Sequence, residues 1–245
     1  MGVATDLASF AEKFSFEELP NSVIQKAKMC ILDTLGVALG GAIAPSSRII
    51  LDYIVSLDKM EVATVWGHKE RASVVWAVLV NGVESHALDY DDSYNAGLVH
   101  VGSVIVPASL TVAESMHSTG KDLLTAVVLG YEVMARIGMA CNVLKRGFHA
   151  TSVCGPFGSA IAVSKILGLD KEKIANALGL AGSQAAGLNE YVAAGSLVKG
   201  FQVGRAAQSG VIASSLAAKE FTGPLTIFEG QQGFCKAYSF EYDLN

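Results

Sequence analysis

Apolar residues recur every three or four positions along most of this chain, a spacing that predicts helices rather than strands. After Pro20, the positions Val23, Ile24, Ala27, Ile31, Leu35 and Ala38 share one face and predict an amphipathic helix of about four to five turns, which Asn21 can cap. Just ahead of it, Ser15-Phe-Glu-Glu18 has the spacing of a capping box. Gly40-Gly41 and Pro45 end that helix, and Ile49, Ile50, Tyr53, Ile54 and Leu57 predict the next over 48–57. Further helices are predicted over 73–86, 103–117, 121–140, 155–167, 171–181 with Asp170 as its cap, and 197–219. Small residues dominate the later helices, so their backbones can approach closely. The run EVATVWG at 61–67 alone reads as a strand. After Phe221 the segment TGPLTIFEGQQGFC has loop residues and aromatics but no helical stripe. No linker, low-complexity segment or fixed-period repeat interrupts the sequence. The expected architecture is one all-α unit.

One stretch breaks the apolar texture. Residues 81–107, NGVESHALDYDDSYNAGLVHVGSVIVP, crowd Asp89, Asp91, Asp92, Ser93, Tyr90, His86 and His100 between hydrophobic segments. Ionised groups do not enter a core without partners. With Asn81-Gly82 and Gly97 read as bracketing turns, the stretch is either a solvated acidic loop or the lining of a cleft that holds carboxylate and imidazole for proton transfer or substrate binding. A metal shell drawn from Asp89, Asp91, Asp92, His86, His100 and His149 is a third option, but neither an EF-hand loop nor H-E-x-x-H is present. The reading therefore favours a metal-free acid/base site.

Two other places carry candidate chemistry. Arg146-Gly-Phe-His-Ala-Thr-Ser-Val-Cys-Gly155 sets His149 on a Gly-flanked loop just before a helix, whose first N–H groups favour an anionic ligand; the alternative is a structural imidazole. Lys199 and Arg205 lie on an otherwise uncharged helix, SLVKGFQVGRAAQSG, as solvated surface charges or as groups that bind carboxylates.

Composition narrows the classes. Of 245 residues, 51% are apolar and only 17% charged, too few charges to keep half of every helix in water, so burial in a core and at a subunit interface is expected. The longest apolar runs carry Asp33, Asn81 or Glu132 and fall short of the roughly 20 residues that span a bilayer, so no membrane span is expected. The N-terminus, MGVATDLASFAEKF, lacks the basic run of a signal peptide, which places the protein in the cytoplasm. Cys30, Cys141, Cys154 and Cys235 are far apart and read as buried free thiols. A net charge of -5, with no basic cluster beyond Lys145-Arg146, argues against nucleic acid as a partner. Neither GxGxxG, a Walker A loop nor a G-x-S-x-G elbow is present, so nucleotide cofactors and covalent hydrolysis lose weight.

Taken together, NGVESHALDYDDS, HVGSVIVPASLTVAE, RGFHATSVCGPFGSAIAVSKILGLD, ALGLAGSQAAGL, SLVKGFQVGRAAQSGVIAS and FTGPLTIFEGQQGF resemble, in order, the blocks of the MmgE/PrpD family, which includes 2-methylcitrate dehydratase and cis-aconitate decarboxylase. The resemblance implies a large all-α domain that forms homodimers, paired in full-length members with a smaller α/β lid, and a cofactor-independent site for di- and tricarboxylates at the junction. By motif, Asp89 and Ser93 match the family's D-x-D-D-T block, with Ser in place of the usual Thr. His100 matches the histidine that follows, at a spacing one residue longer, while His149 matches the G-F-H histidine and Lys199 the lysine of the V-K block. The prolines that often follow both histidines are Val101 and Ala150 here. The implied roles are catalytic for His149, His100 and Asp89, with Lys199 and Ser93 binding substrate and no metal.

The resemblance further implies that 1–245 is the helical domain without its lid, the tail from about 221 leading toward it. The expected activity is proton abstraction beside a carboxylate, with this chain as the helical subunit of a split lyase whose lid comes from a second subunit. The alternatives are a non-catalytic homodimeric scaffold, or an epimerase or decarboxylase of the same family.

Overall fold

The computed structural model describes residues 2–244. The chain opens with α1 (Val3–Lys13), which the apolar pattern did not single out; its buried stripe is Ala4, Ala8 and Ala11, too small to stand out from the sequence. The Ser15 N–H donates to Glu18 Oε2 over 2.7 Å, one arm of the predicted capping box, and opens a single 3-10 turn over Phe16–Glu18. The next helix, α2 (Asn21–Gly41), is longer than predicted, and α3 (Pro45–Leu57) starts at Pro45 rather than 48, with proline in the first turn where its missing N–H is harmless.

The expected strand at 61–67 shrinks to β1 (Ala63–Thr64), paired antiparallel with β2 (Arg71–Ala72). Most of the β-branched run is held instead by side chains: the Trp66 N–H donates to Asn81 Oδ1 and the Thr64 hydroxyl to Glu114. Then follow α4 (Val74–His86), α5 (Gly102–Ser115), α6 (Gly120–Ala140), α7 (Ala150–Ile166), α8 (Lys171–Gly182), the short α9 (Tyr191–Ala194), α10 (Val198–Ala218) and α11 (Phe234–Tyr238). As predicted, Asp170 caps α8, its carboxylate accepting from the Lys173 N–H.

Two expectations need correction. Asn81-Gly82 is not a turn but the buried middle of α4, because Gly82 faces Gly204 of α10 with no room for a side chain: a Cβ there would stand 2.7 Å from the Gly204 Cα. The helix predicted from 155 begins at Ala150, since Thr151, Ser152, Val153 and Cys154 are buried and a Cβ on Gly155 would meet Ala206 at 2.9 Å. Packing of small residues, not local propensity, sets both boundaries.

α7 lies at the centre, buried along its length and packed on α6, α5, α8 and α10. By length and composition α6 could cross a membrane, but Leu124, Val127, Leu129, Val133, Met134 and Ile137 face the core. Residues 222–244 fold back onto the body: Phe228 and Phe234 pack on Phe157, and Cys235 Sγ lies 3.0 Å from Cys141 Sγ. All four thiols are free and buried, as expected.

Glu84, near the end of α4, is fully buried with Oε1 2.9 Å from His68 Nε2, and burial pushes its carboxyl up to about 9. Between the ordinary carboxyl range and that value the folded chain keeps a proton that the unfolded chain has released, so stability falls as pH rises from about 4.5 to about 9. Glu84→Gln keeps the contact without the titration. It should raise the Tm at pH 7 by an amount equivalent to roughly 3–4 kcal/mol, at about 1.4 kcal/mol per pH unit above the ordinary carboxyl range, and the gain should vanish near pH 4 in a thermal melt series.

Candidate active site

Three helix ends meet at one edge of the bundle. α4 closes on His86, the loop 87–101 follows, α7 starts immediately after His149, and Lys199 stands in the first turn of α10. The loop is shaped rather than free: Asp89 and Leu98 adopt left-handed φ values of 52° and 55°, and Tyr94 bridges Val99 across a turn that contains Gly97. Its three aspartates are put to three different uses. Asp92 turns back to accept from the Gly102 N–H and the Tyr131 hydroxyl, both at 2.8 Å, which ties the loop to the start of α5. Asp91 turns inward and receives His86 Nδ1 on both oxygens at 2.9 Å. Asp89 stays at the surface, with Oδ1 2.5 Å from Lys199 Nζ.

Of the residues singled out from the sequence, Asp89, His100, His149 and Lys199 converge. His100, His149, Lys199 and Ser93 line one cleft of about 300 Å³, with Asn189 and Tyr191 on its outer side. Ser93 stands at its rim, where its hydroxyl reaches only Asn95 Oδ1 at 3.5 Å. Arg205 lies farther along α10 and bonds Gln208 instead of joining the cleft. The pattern gave Asp91 and His86 no role beyond the general acidic stretch and the metal option, and it passed over Gln202. Asp91 and His86 were visible within the acidic stretch, but nothing in their spacing marked them as partners, and Gln202 carried no sequence signal.

The imidazoles differ in charge, and their neighbours explain why. His100 Nδ1 is 3.4 Å from Asp91 Oδ2 and Nε2 is 3.8 Å from Asp89 Oδ1; contact with Asp91 raises its pKa against the opposing effect of burial. Burial works to raise the Asp91 carboxyl, but the two imidazoles outweigh it and hold Asp91 well below the usual range. Burial likewise opposes the Lys199 contact at Asp89, and Lys199 prevails there too, leaving Asp89 ionised.

His149 is the reverse case. Burial, followed by the nearby His86, lowers it to about 4, so at neutral pH it is uncharged. Its tautomer is set by Gln202, whose amide donates to the Leu188 carbonyl over 3.0 Å and so turns Oε1 toward His149 Nδ1 at 2.9 Å. His149 therefore donates from Nδ1 and keeps a lone pair on Nε2. The backbone around it is clamped, with the His149 N–H on the Gly187 carbonyl and the Asn189 N–H on that of Gly147. Gly187 is required here: its φ is 141°, and a Cβ would stand 1.9 Å from the Ser152 hydroxyl oxygen.

Ligand atoms of His86, Asp89, Asp91 and His100 lie within 4.8 Å of one another, close enough to chelate a divalent cation. The Lys199 ammonium, already on Asp89 Oδ1, supplies positive charge at that point instead.

The helical scaffold thus brings into one cleft a neutral imidazole, a second imidazole whose pKa is raised, and the Lys199 side chain. The chain belongs to the MmgE/PrpD family: residues 5–245 match its N-terminal domain. It is 33% identical to a human cis-aconitate decarboxylase over 90% of this chain and 47% of the relative. Cis-aconitate decarboxylases of Aspergillus terreus and mouse are 29% and 30% identical, each over 97% of this chain and 50% of the relative. The chain thus spans about half the length of the curated relatives it matches.

If Asp91 is what keeps His100 charged, Asp91→Asn should lower the His100 pKa. An NMR pH titration of the imidazole C–H resonances measures this directly; an unchanged His100 would assign its charge to Asp89 alone.

Proposed function

We propose that this chain supplies the acid/base half of a cytoplasmic lyase acting on a di- or tricarboxylate, with cis-aconitate the first substrate to test. The observation that carries this reading is the pairing of His149, which burial keeps neutral, with His100, whose pKa Asp91 raises, in a cleft that also holds Lys199. A neutral imidazole accepts a proton and an imidazolium gives one, so the two need not exchange roles before the reaction begins.

Lys199 and His100 hold substrate carboxylates, and Asp89 keeps Lys199 facing the cleft. In a decarboxylation the bond to the departing carboxylate breaks, its electron pair stays on carbon, and His100 delivers the proton that closes the valence. In a dehydration His149 takes the carbon-bound proton while His100 protonates the leaving hydroxyl. The names of the relatives favour decarboxylation, with 2-methylcitrate dehydration and epimerisation as the family's other outcomes. The cleft is open at Tyr191 and Asn189, so water reaches it, and electrostatic contacts of this kind strengthen when a lid excludes water. We assign that lid to a second polypeptide or to further residues of a longer chain, and the exposed Met29, Leu32 and Leu39 on α2, with Ile43 just beyond it, to a second copy in a homodimer.

The test is to purify the protein from its own cells with whatever polypeptide accompanies it, supply cis-aconitate, and follow carbon dioxide release and proton NMR in heavy water. Release of carbon dioxide supports the decarboxylase reading; water loss or bare exchange at carbon redirects it. In the active preparation His100→Gln should lower kcat by roughly 10²–10⁴, the usual contribution of a general acid or base, and His149→Gln should do the same where the reaction is dehydration. The rate should climb as pH passes about 4, where His149 loses its proton, and decline on the alkaline side of the ordinary imidazole range, where His100 loses its own. A profile flat across that range would remove both imidazoles from the chemistry.

A further inference from the structure

His86 takes no part in the scheme above, and its geometry does not fit a packing role. Its side chain is wholly buried, and Asp91 holds its Nδ1 from both carboxylate oxygens at 2.9 Å. The second nitrogen, Nε2, is buried with no hydrogen-bond partner among the described residues. A buried polar nitrogen without a partner costs about 1–3 kcal/mol, a cost that a packing role alone does not explain. Nε2 looks toward Asp89 Oδ1, 3.9 Å away.

That oxygen is a common focus. Lys199 Nζ stands 2.5 Å from it, His100 Nε2 3.8 Å and His86 Nε2 3.9 Å. Three nitrogens from three separate elements face one carboxylate oxygen, which shows what kind of atom this point accepts. Of these three, only Lys199 holds the oxygen at hydrogen-bond distance. Asp89 has the left-handed φ of 52°, unfavourable for a residue with a side chain, and its side chain is 57% exposed. It can leave without unfolding anything.

We propose that His86 Nε2, His100 Nε2 and Lys199 Nζ form a three-donor subsite for one carboxylate of the substrate, at the point that the Asp89 carboxylate occupies in the free protein. The inference rests on the carboxylate reading above and extends it: His86 becomes a substrate-contacting group, and Asp89 an internal stand-in that the substrate displaces. With Asp91 on Nδ1 and an anionic oxygen on Nε2, both His86 nitrogens have hydrogen-bond partners. The long contacts from the two imidazoles leave space for a ligand oxygen to settle deeper than Asp89 does. Freed from Lys199, Asp89 swings out into water.

Tricarballylate, a tricarboxylate with neither a hydroxyl to lose nor a double bond, is a suitable probe. With the full chain labelled at the histidine nitrogens, a titration should move His86 Nε2 and His100 Nε2 along one saturation curve. Asp89→Asn should bind the probe about tenfold more tightly, equivalent to about 1.4 kcal/mol, because the competing anion is gone. Asp91→Asn removes the same charge but releases both imidazoles, and should bind it more weakly. If the probe binds and shifts His100 while His86 Nε2 stays still, or if Asp89→Asn weakens binding, the subsite is wrong and the carboxylate reading survives. If the unsubstituted chain shows no response at any histidine, the carboxylate reading itself falls, and the subsite with it.

Discussion

The crossing of α4 and α10 at Gly82 and Gly204 leaves no space for a side chain on either helix, and the site depends on that closeness. A Cβ on Gly204 would come within 2.5 Å of the Leu79 carbonyl oxygen, so α10 lies directly against the α4 backbone. This brings the first turn of α10, with Lys199, over the last turn of α4, with His86. α7 is drawn into the same corner by Gly155 against Ala206 and by the Ser159 hydroxyl on the Ala207 carbonyl. A domain built on larger residues would hold these helices apart, at the 8–10 Å usual between helix axes or beyond, and the same side chains would not meet.

On that frame a single buried carboxylate organises the charges. Asp91 could not remain ionised in the interior without the two imidazoles beside it. In turn it raises the pKa of His100 and takes His86 Nδ1 on both of its oxygens. His149 sits a ring away from His86 at 6.0 Å between centroids, has no carboxylate of its own, and stays neutral because burial disfavours a further charge there. One acid and one base thus arise from the same residue type by the placement of one aspartate, and Gln202 aims the base through a bond that involves no charge at all.

The loop that bears Asp89 and Asp91 is secured from behind, which separates the stable and movable parts of the site. Asp92 is committed to Gly102 and Tyr131 beside a cavity of about 490 Å³ that also touches Lys26 and Cys30, on the far side of the loop from the imidazoles. The inward half of the loop is therefore held by buried hydrogen bonds. Only the tip at Asp89 and Tyr90, exposed and left-handed at Asp89, is free to respond to what enters the cleft. The apolar rim around the tip, Leu88, Leu98 and Leu188, faces solvent in this chain and is suited to burial beneath another domain.

The helical class, the bounds of most helices to within a few residues, the Asp170 cap and the free thiols were all legible in the sequence, because each depends on local periodicity or on one residue's neighbours. So were the positions of His149 and Lys199 at helix starts, and the family, through ordered motifs rather than through any single one. Asn81-Gly82 misled because glycine signals a turn to its neighbours in sequence, whereas here it answers a backbone 122 residues away at Gly204. The expected strand failed for a related reason: its backbone groups found the Asn81 and Glu114 side chains before they found a second strand. What the tertiary structure alone decided was the division of labour within the site. That His86 belongs to Asp91, that burial lowers the pKa of His149 while Asp91 raises that of His100, and that Gln202 selects a tautomer are matters of distance and burial across helices that only packing brings together, and a pattern of residue types along the chain carries no measure of either.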